Sequence, residues 1–148
     1  MTDHNRTVRP DDVAAPMGPY VHAIAVSPGA EWLVVSGQTG VDESGDVVEG
    51  GIRTQTRAVF RNIEGVLHAQ GYGWGDVVKL TTYLTDREVV GDFRSTRDEL
   101  FGGFFPDGAF PASTLAIVQG LASPEFLVEI ETLAARRPPT TEASGSGQ

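Results

Sequence analysis

The chain has 148 residues, 40% of them hydrophobic and 21% charged, which is enough for one domain with a buried core. Its 11 Lys and Arg against 20 Asp and Glu leave a formal charge of -9, a balance that repels phosphate backbones and anionic membrane surfaces and so argues against a nucleic-acid partner. Without cysteine it has no disulfide framework, thiolate nucleophile or zinc knuckle. No apolar run approaches membrane-spanning length and the first residues lack the apolar core of a signal peptide, so a cytoplasmic protein with no membrane partner is expected.

Residues 1–12 are polar and 138–148 are Pro, Thr, Ser and Gly without an apolar anchor; both ends are expected to be flexible, with the domain spanning 13–137. Tyr20 to Val26 and Trp32 to Thr39 are apolar, β-branched runs separated by Ser27, Pro28, Gly29 and Ala30, which predicts a hairpin. From Ile52 to Gln70 the period changes. Ile52, Thr56, Val59, Phe60, Ile63, Val66 and Leu67 form one stripe of a helix, and Gly71 ends it. Asp76 to Leu84 reads as a strand, and Thr85 with Glu88 has the capping-box spacing that starts a second helix running to about Phe105. Two more strands, Ala112 to Leu121 and Phe126 to Ala135, flank a turn at Ser123 and Pro124. This order predicts a single α+β domain with two helices on one face of a mixed sheet.

Two features point to chemistry. In the last strand Phe126, Val128 and Ile130 share one face, whereas Leu127, Glu129, Glu131 and Leu133 share the other, so two carboxylates are framed by leucines. A partly dry carboxylate is a candidate acid or base, although such groups also serve purely as solvated edges or in structural networks. In the second helix Arg97 falls inside the apolar stripe of Val89, Phe93, Leu100 and Phe104. Its guanidinium either snorkels to water over the helix edge or enters a pocket and pairs with a carboxylate. Gly71, Gly73 and Gly75 follow a helix and precede a strand, the reverse of a dinucleotide fingerprint. His4, His22 and His68 lack metal-ligand spacing, so no metal site is predicted.

Ala15-Pro16-Met17-Gly18-Pro19-Tyr20, Val35-Ser36-Gly37-Gln38, Asn62, Asp76-Val77-Val78-Lys79, Asp92-Phe93, Phe110-Pro111-Ala112 and Val128-Glu129-Ile130-Glu131 together resemble the RidA (YjgF, L-PSP) proteins, over nearly the whole predicted domain. The resemblance implies a chorismate-mutase-like α+β subunit that assembles as a homotrimeric barrel, with small-molecule clefts between neighbouring subunits. It implies hydrolysis of reactive enamines and imines to a carbonyl compound and ammonia, with no cofactor and no metal. By motif position Glu129 matches the water-orienting glutamate, although the turn before it is one residue longer here. Tyr20 matches a pocket-wall tyrosine, and Ser36 and Gly37 match positions near the ligand; Phe110, Ala112 and Thr114 are taken as further parts of the pocket.

The chain departs from the deaminase members at one position that matters. They carry, after Pro and Ala, an arginine that clamps the substrate carboxylate, and here that residue is Ser113. Losing a bidentate charged donor removes roughly 1.5 to 3 kcal/mol of charge-assisted binding. Arg97, where deaminase members commonly show a neutral residue, is the candidate to restore the cation. The alternatives are a trimeric small-molecule binding or regulatory protein of the same fold, and another hydrolase chemistry in the same cleft with Ser113 or Ser36 as nucleophile. The last lacks an obvious base, since neither serine stands in a Gly-x-Ser-x-Gly elbow and only His22 is on a nearby strand.

Overall fold

The long amphipathic segment that opens after Gly51 forms the first helix, α1 (Ile52–Ala69), with Ile52, Thr56, Val59, Phe60, Ile63 and Leu67 buried along one side. The structure, a computed structural model, describes residues 5–140. Chain reversal after α1 needs a left-handed residue, and Gly71 supplies it with φ 73°, its N–H reaching the His68 carbonyl while that of Tyr72 reaches the Leu67 carbonyl. The strands are β1 (Asn5–Val8), β2 (Ala23–Val26), β3 (Glu31–Thr39), β4 (Val77–Leu84), β5 (Ala112–Ile117) and β6 (Val128–Arg136), and the second helix is α2 (Val90–Phe104). One sheet has the order β3-β6-β4-β5, with β4 and β5 parallel and the other pairs antiparallel, so the sheet is mixed.

Alternation on the strands decides which face is covered. Val128, Ile130, Thr132 and Ala134 of β6 and Leu80, Thr82 and Leu84 of β4 are buried beneath the helices. Phe60, Trp74, Phe101, Phe104, Phe105 and Phe110 pack as an aromatic cluster at one end of this layer, with Trp74 and Phe104 stacked at 4.0 Å. The expected packing of two helices on one face of a mixed sheet is what the fold shows.

Three local expectations are corrected. Tyr20 to Val26 and Trp32 to Thr39 do not form a hairpin: β2 pairs with β1 in a separate two-stranded ribbon, and β3 pairs with β6. The turn residues between them fit a hairpin locally, but the long-range partners claim both strands. Consequently Asn5–Val8, expected to lie in a flexible start, is a strand, and buried Asn5 donates from Nδ2 to the Ala135 carbonyl at 2.9 Å. Residues 1–4 of that start and 141–148 of the expected tail lie outside the described residues. Finally, the helical turn before α2 is capped by Asp86, not Thr85: its Oδ1 accepts from the Glu88 N–H at 2.9 Å.

Candidate functional site

Glu129 on β6 faces Thr39 of β3 and Tyr83 of β4, on the sheet face away from the helices. What gives its side chain a defined seat is a bulge in β3. Val35 faces Thr132 and Gln38 faces Ile130, so the pair Ser36 and Gly37 stands opposite the single residue Glu131. The Glu129 side chain lies over Gly37, where a Cβ would come within 2.8 Å of its Cδ and 2.9 Å of its Cγ. Gly37 is not among the positive-φ glycines, so the need for glycine here is space for the carboxylate, not backbone handedness. Glu129 is half-buried, and its side chain makes no hydrogen bond or ion pair among the described residues. A carboxylate so placed can take a proton from a water molecule.

Two interior polar residues prepare this arrangement. Gln55 on α1, 3% exposed, donates to the Glu125 carbonyl and accepts from the Leu127 N–H, both at 2.9 Å, and so fixes the entry into β6. Asn62, one of the motif residues, donates from Nδ2 to the carbonyls of Thr39 at 3.2 Å and Val41 at 3.0 Å, tying the end of β3 to α1. Gln55 is a residue the sequence reading missed; its only signal was an amide on an otherwise apolar helix stripe.

The rest of the open face follows from register. Tyr83 stands opposite Glu129, and Thr81 opposite Glu131. The Glu131 carboxylate first, then partial desolvation and the charge of Glu129, hold the Tyr83 phenol above its ordinary value. Lys79 donates from Nζ to Thr114 Oγ1 at 2.6 Å, so Thr114 is on this face too. Val34 pairs with Leu133 and Trp32 with Ala135, and these two apolar side chains are 75% and 50% exposed.

The remaining candidates gather elsewhere. A parallel bridge joins Val21 to Ala112, which places Tyr20 and His22 beside the start of β5. The Tyr20 hydroxyl accepts from the Met17 N–H at 3.3 Å, and its ring meets His22 edge-on at 6.3 Å, while His22 Nε2 is 2.6 Å from the Ala14 carbonyl oxygen. Phe110 stacks on Phe101, and the Arg97 guanidinium lies 5.7 Å from the Phe101 ring and 5.8 Å from that of Phe93. Arg97 is thus held against the aromatic cluster, its side chain 14% exposed, with its charge paired to neighbouring Asp98 through Nε at 3.0 Å and Nη2 at 2.9 Å. Ser113 faces Leu80 in register and so shares the helix-side face.

One chain does not bring these groups together. Ser113 is three residues from Ala116, the β5 partner of Tyr83; at about 3.3 Å per residue and about 4.8 Å between strands, Glu129 and Ser113 are roughly 14 Å apart, on opposite faces. A hollow of about 240 Å³ lined by Val8, Arg9, Val13, Pro16, Val21 and His22 contains His22 but none of the other candidate residues. Among the described residues no group of three or more His, Asp or Glu is placed to hold a metal ion, and no helix is long and apolar enough to cross a membrane.

Known proteins similar to this chain in sequence and in shape identify the family. The family described as Endoribonuclease L-PSP matches residues 11–136. A RutC family protein of Pyrococcus horikoshii is 35% identical over 125 residues, covering 84% of this chain and 92% of that protein. A 2-iminobutanoate/2-iminopropanoate deaminase of Bos taurus is 36% identical over 129 residues, covering 86% and 87%. Among solved structures, a protein of unknown function of the conserved Rid family from Yersinia pestis superposes with a TM-score of 0.77 at 29% identity, over 90% of this chain and 99% of that one. The YjgF gene product of E. coli does so with a TM-score of 0.66 at 28% identity, over 89% and 99%. The chain therefore belongs to the endoribonuclease L-PSP family, that of the RidA and YjgF proteins.

Proposed function

We propose that this protein hydrolyses reactive enamines and imines to a carbonyl compound and ammonia, in clefts between the subunits of a homotrimer and without a cofactor. The observation that carries the reading is the unpartnered carboxylate of Glu129 over the Gly37 bulge. Relatives at this level of identity named for 2-iminobutanoate and 2-iminopropanoate deamination support it.

The chemistry is modest. Glu129 accepts a proton from water as the oxygen adds to the C=N carbon, and the proton passes to nitrogen in the carbinolamine. The C–N bond then breaks, ammonia leaves and the carbonyl forms. Grip on the substrate comes from both groups: Tyr20, Phe110 and Ala112 make the wall, with Ser113 from the helix-side face and Ser36 and Thr114 from the Glu129 face as neutral polar contacts. Because Glu129 and Ser113 are far apart within one chain, the cleft needs a second copy to complete it. Exposed Trp32 and Val34 on the Glu129 face are the surface that copy would cover.

Ser113 in place of an arginine favours substrates without a free carboxylate, or a carboxylate met instead by Arg97 from α2. The same substitution favours a second reading, a trimeric binding protein that has kept the fold and lost the reaction. The separating experiment is imine decay: an amino-acid oxidase generates 2-imino acids, amine substrates generate carboxylate-free imines, and the C=N species and ammonia are followed with and without the protein. Faster decay is the expected result. Unchanged decay of both imine classes, with a small molecule still bound, leaves the binding protein.

A further inference from the structure

The end of β1, the approach to β2 and the loop between them surround the hollow of about 240 Å³. That loop, stiffened by Pro10 and Pro16, is pinned in place: His22 Nε2 is 2.6 Å from the Ala14 carbonyl oxygen, and the Tyr20 hydroxyl accepts from the Met17 N–H at 3.3 Å. The Val21 N–H, donating to the Pro111 carbonyl at 3.2 Å, ties the approach to β2 to the chain beside β5. The walls are Val8, Val13, Pro16 and Val21, and none of them belongs to the core cluster, so the space is not a gap in the packing of the helices on the sheet. Val13 is 53% exposed, an apolar wall that the fold leaves uncovered.

The polar part of the lining has one sign of charge. The Arg9 side chain makes no hydrogen bond or ion pair among the described residues, and no carboxylate lines the hollow. Asp11 and Asp12 stand on the same loop, but they are outside the lining and neither is paired with Arg9. His22 must carry its proton on Nε2 to bond the Ala14 carbonyl, which spends that donor and leaves Arg9 as the free one. We infer that this hollow is a binding site for a small monocarboxylate with a branched apolar tail, the tail against the Val and Pro walls and the carboxylate on the guanidinium fork of Arg9. An apolar cavity of about 150 Å³ accepts a benzene-sized molecule, so there is room for an acid of the size of 4-methylpentanoate. Glu129, Gly37, Ser113 and Thr114 are not part of the lining, so the site is separate from the imine cleft and does not rest on the hydrolysis reading.

The test is a titration of the isotope-labelled full chain with 4-methylpentanoate, followed by the amide shifts. Changes centred on residues 8–22 are expected, with a Kd of about 0.1 to 1 mM. The neutral amide of the same acid, which keeps the shape and loses the charge, is expected to bind about tenfold more weakly. Arg9→Gln is expected to weaken the acid about tenfold and the amide less than about twofold, with Arg9→Lys restoring most of the loss. Ala15→Leu, which puts bulk into the lining, is expected to weaken both ligands. Arg9 is exposed, so Tm is expected to be that of the parent in both of its variants. Shifts confined to residues 110–114 and 128–131 place the acid in the imine cleft and overturn the inference. Affinity unchanged in Arg9→Gln or in Ala15→Leu, or no shift at about 10 mM acid, overturns it as well. None of these outcomes bears on imine hydrolysis, which turnover by Glu129→Gln decides.

Discussion

Glu129 and Gly37 occupy one another's space: the glutamate side chain lies where any side chain at position 37 would begin. Because the atoms in the way are the end of a flexible side chain and the backbone of Gly37 is not left-handed, alanine fits once the carboxylate moves. Gly37→Ala is therefore expected to leave thermal stability within about 1 kcal/mol of the parent while cutting kcat on imines about 10- to 100-fold, since a displaced base loses alignment with its water. Melting curves and steady-state rates on the same preparation check both halves.

Gln55 is predicted to matter to stability more than any polar residue on the surface of the fold. Gln55→Ala removes two interior hydrogen bonds and leaves the Glu125 carbonyl and Leu127 N–H unpaired. A loss of about 2 to 4 kcal/mol is expected in urea unfolding. Because these bonds fix the entry into β6, the variant is also expected to show faster hydrogen exchange at residues 125–129 than elsewhere in the strand.

Much of this was legible in the sequence, and what was missed has a common cause. The stripe of α1, the strand at Val77–Leu84 and the leucine-framed glutamates are short-range patterns, and the structure contains each of them. The β2 and β3 hairpin failed because turn chemistry at Ser27 to Ala30 reports only that the chain reverses, not which strand is its neighbour. The same blindness hid β1, whose short polar run is ordered by β2 and by the Asn5 bond to Ala135. In the candidate site, Arg97 within the apolar stripe was readable by period, but its pairing through Nε and Nη2 with Asp98 Oδ1 was not. Tyr83 alternates with Thr81 and Lys79 like any strand residue; only the register against β6 places it beside Glu129.

Substrate charge preference is predicted to be set by positions 113 and 97. Ser113→Arg is expected to create or strengthen turnover of 2-imino acids, chiefly through KM, by one to two powers of ten. Arg97→Ala is expected to weaken carboxylate ligands in calorimetry while sparing neutral ones. Equal carboxylate affinity in the parent and in Arg97→Ala would remove Arg97 from the pocket and leave it as a cation packed on Phe93 and Phe101.

Val34, 75% exposed on the Glu129 face, tests the assembly. The parent is expected to sediment as three copies. Val34→Glu, which puts a charge into the surface that a neighbour would cover in the proposed trimer, is expected to shift the protein toward single subunits and to reduce imine turnover in parallel. A parent that sediments as one subunit would leave the Glu129 side chain in open solvent and its cleft unbuilt.

The most direct measurement compares the lifetime of oxidase-generated and carboxylate-free imines in the presence of the parent and of Glu129→Gln, with circular dichroism confirming that both are folded. The account predicts accelerated decay with matching ammonia release by the parent on at least one imine class, and a loss of about 10² to 10⁴ in rate for the variant. Equal acceleration by both proteins, or none by the parent, would contradict it.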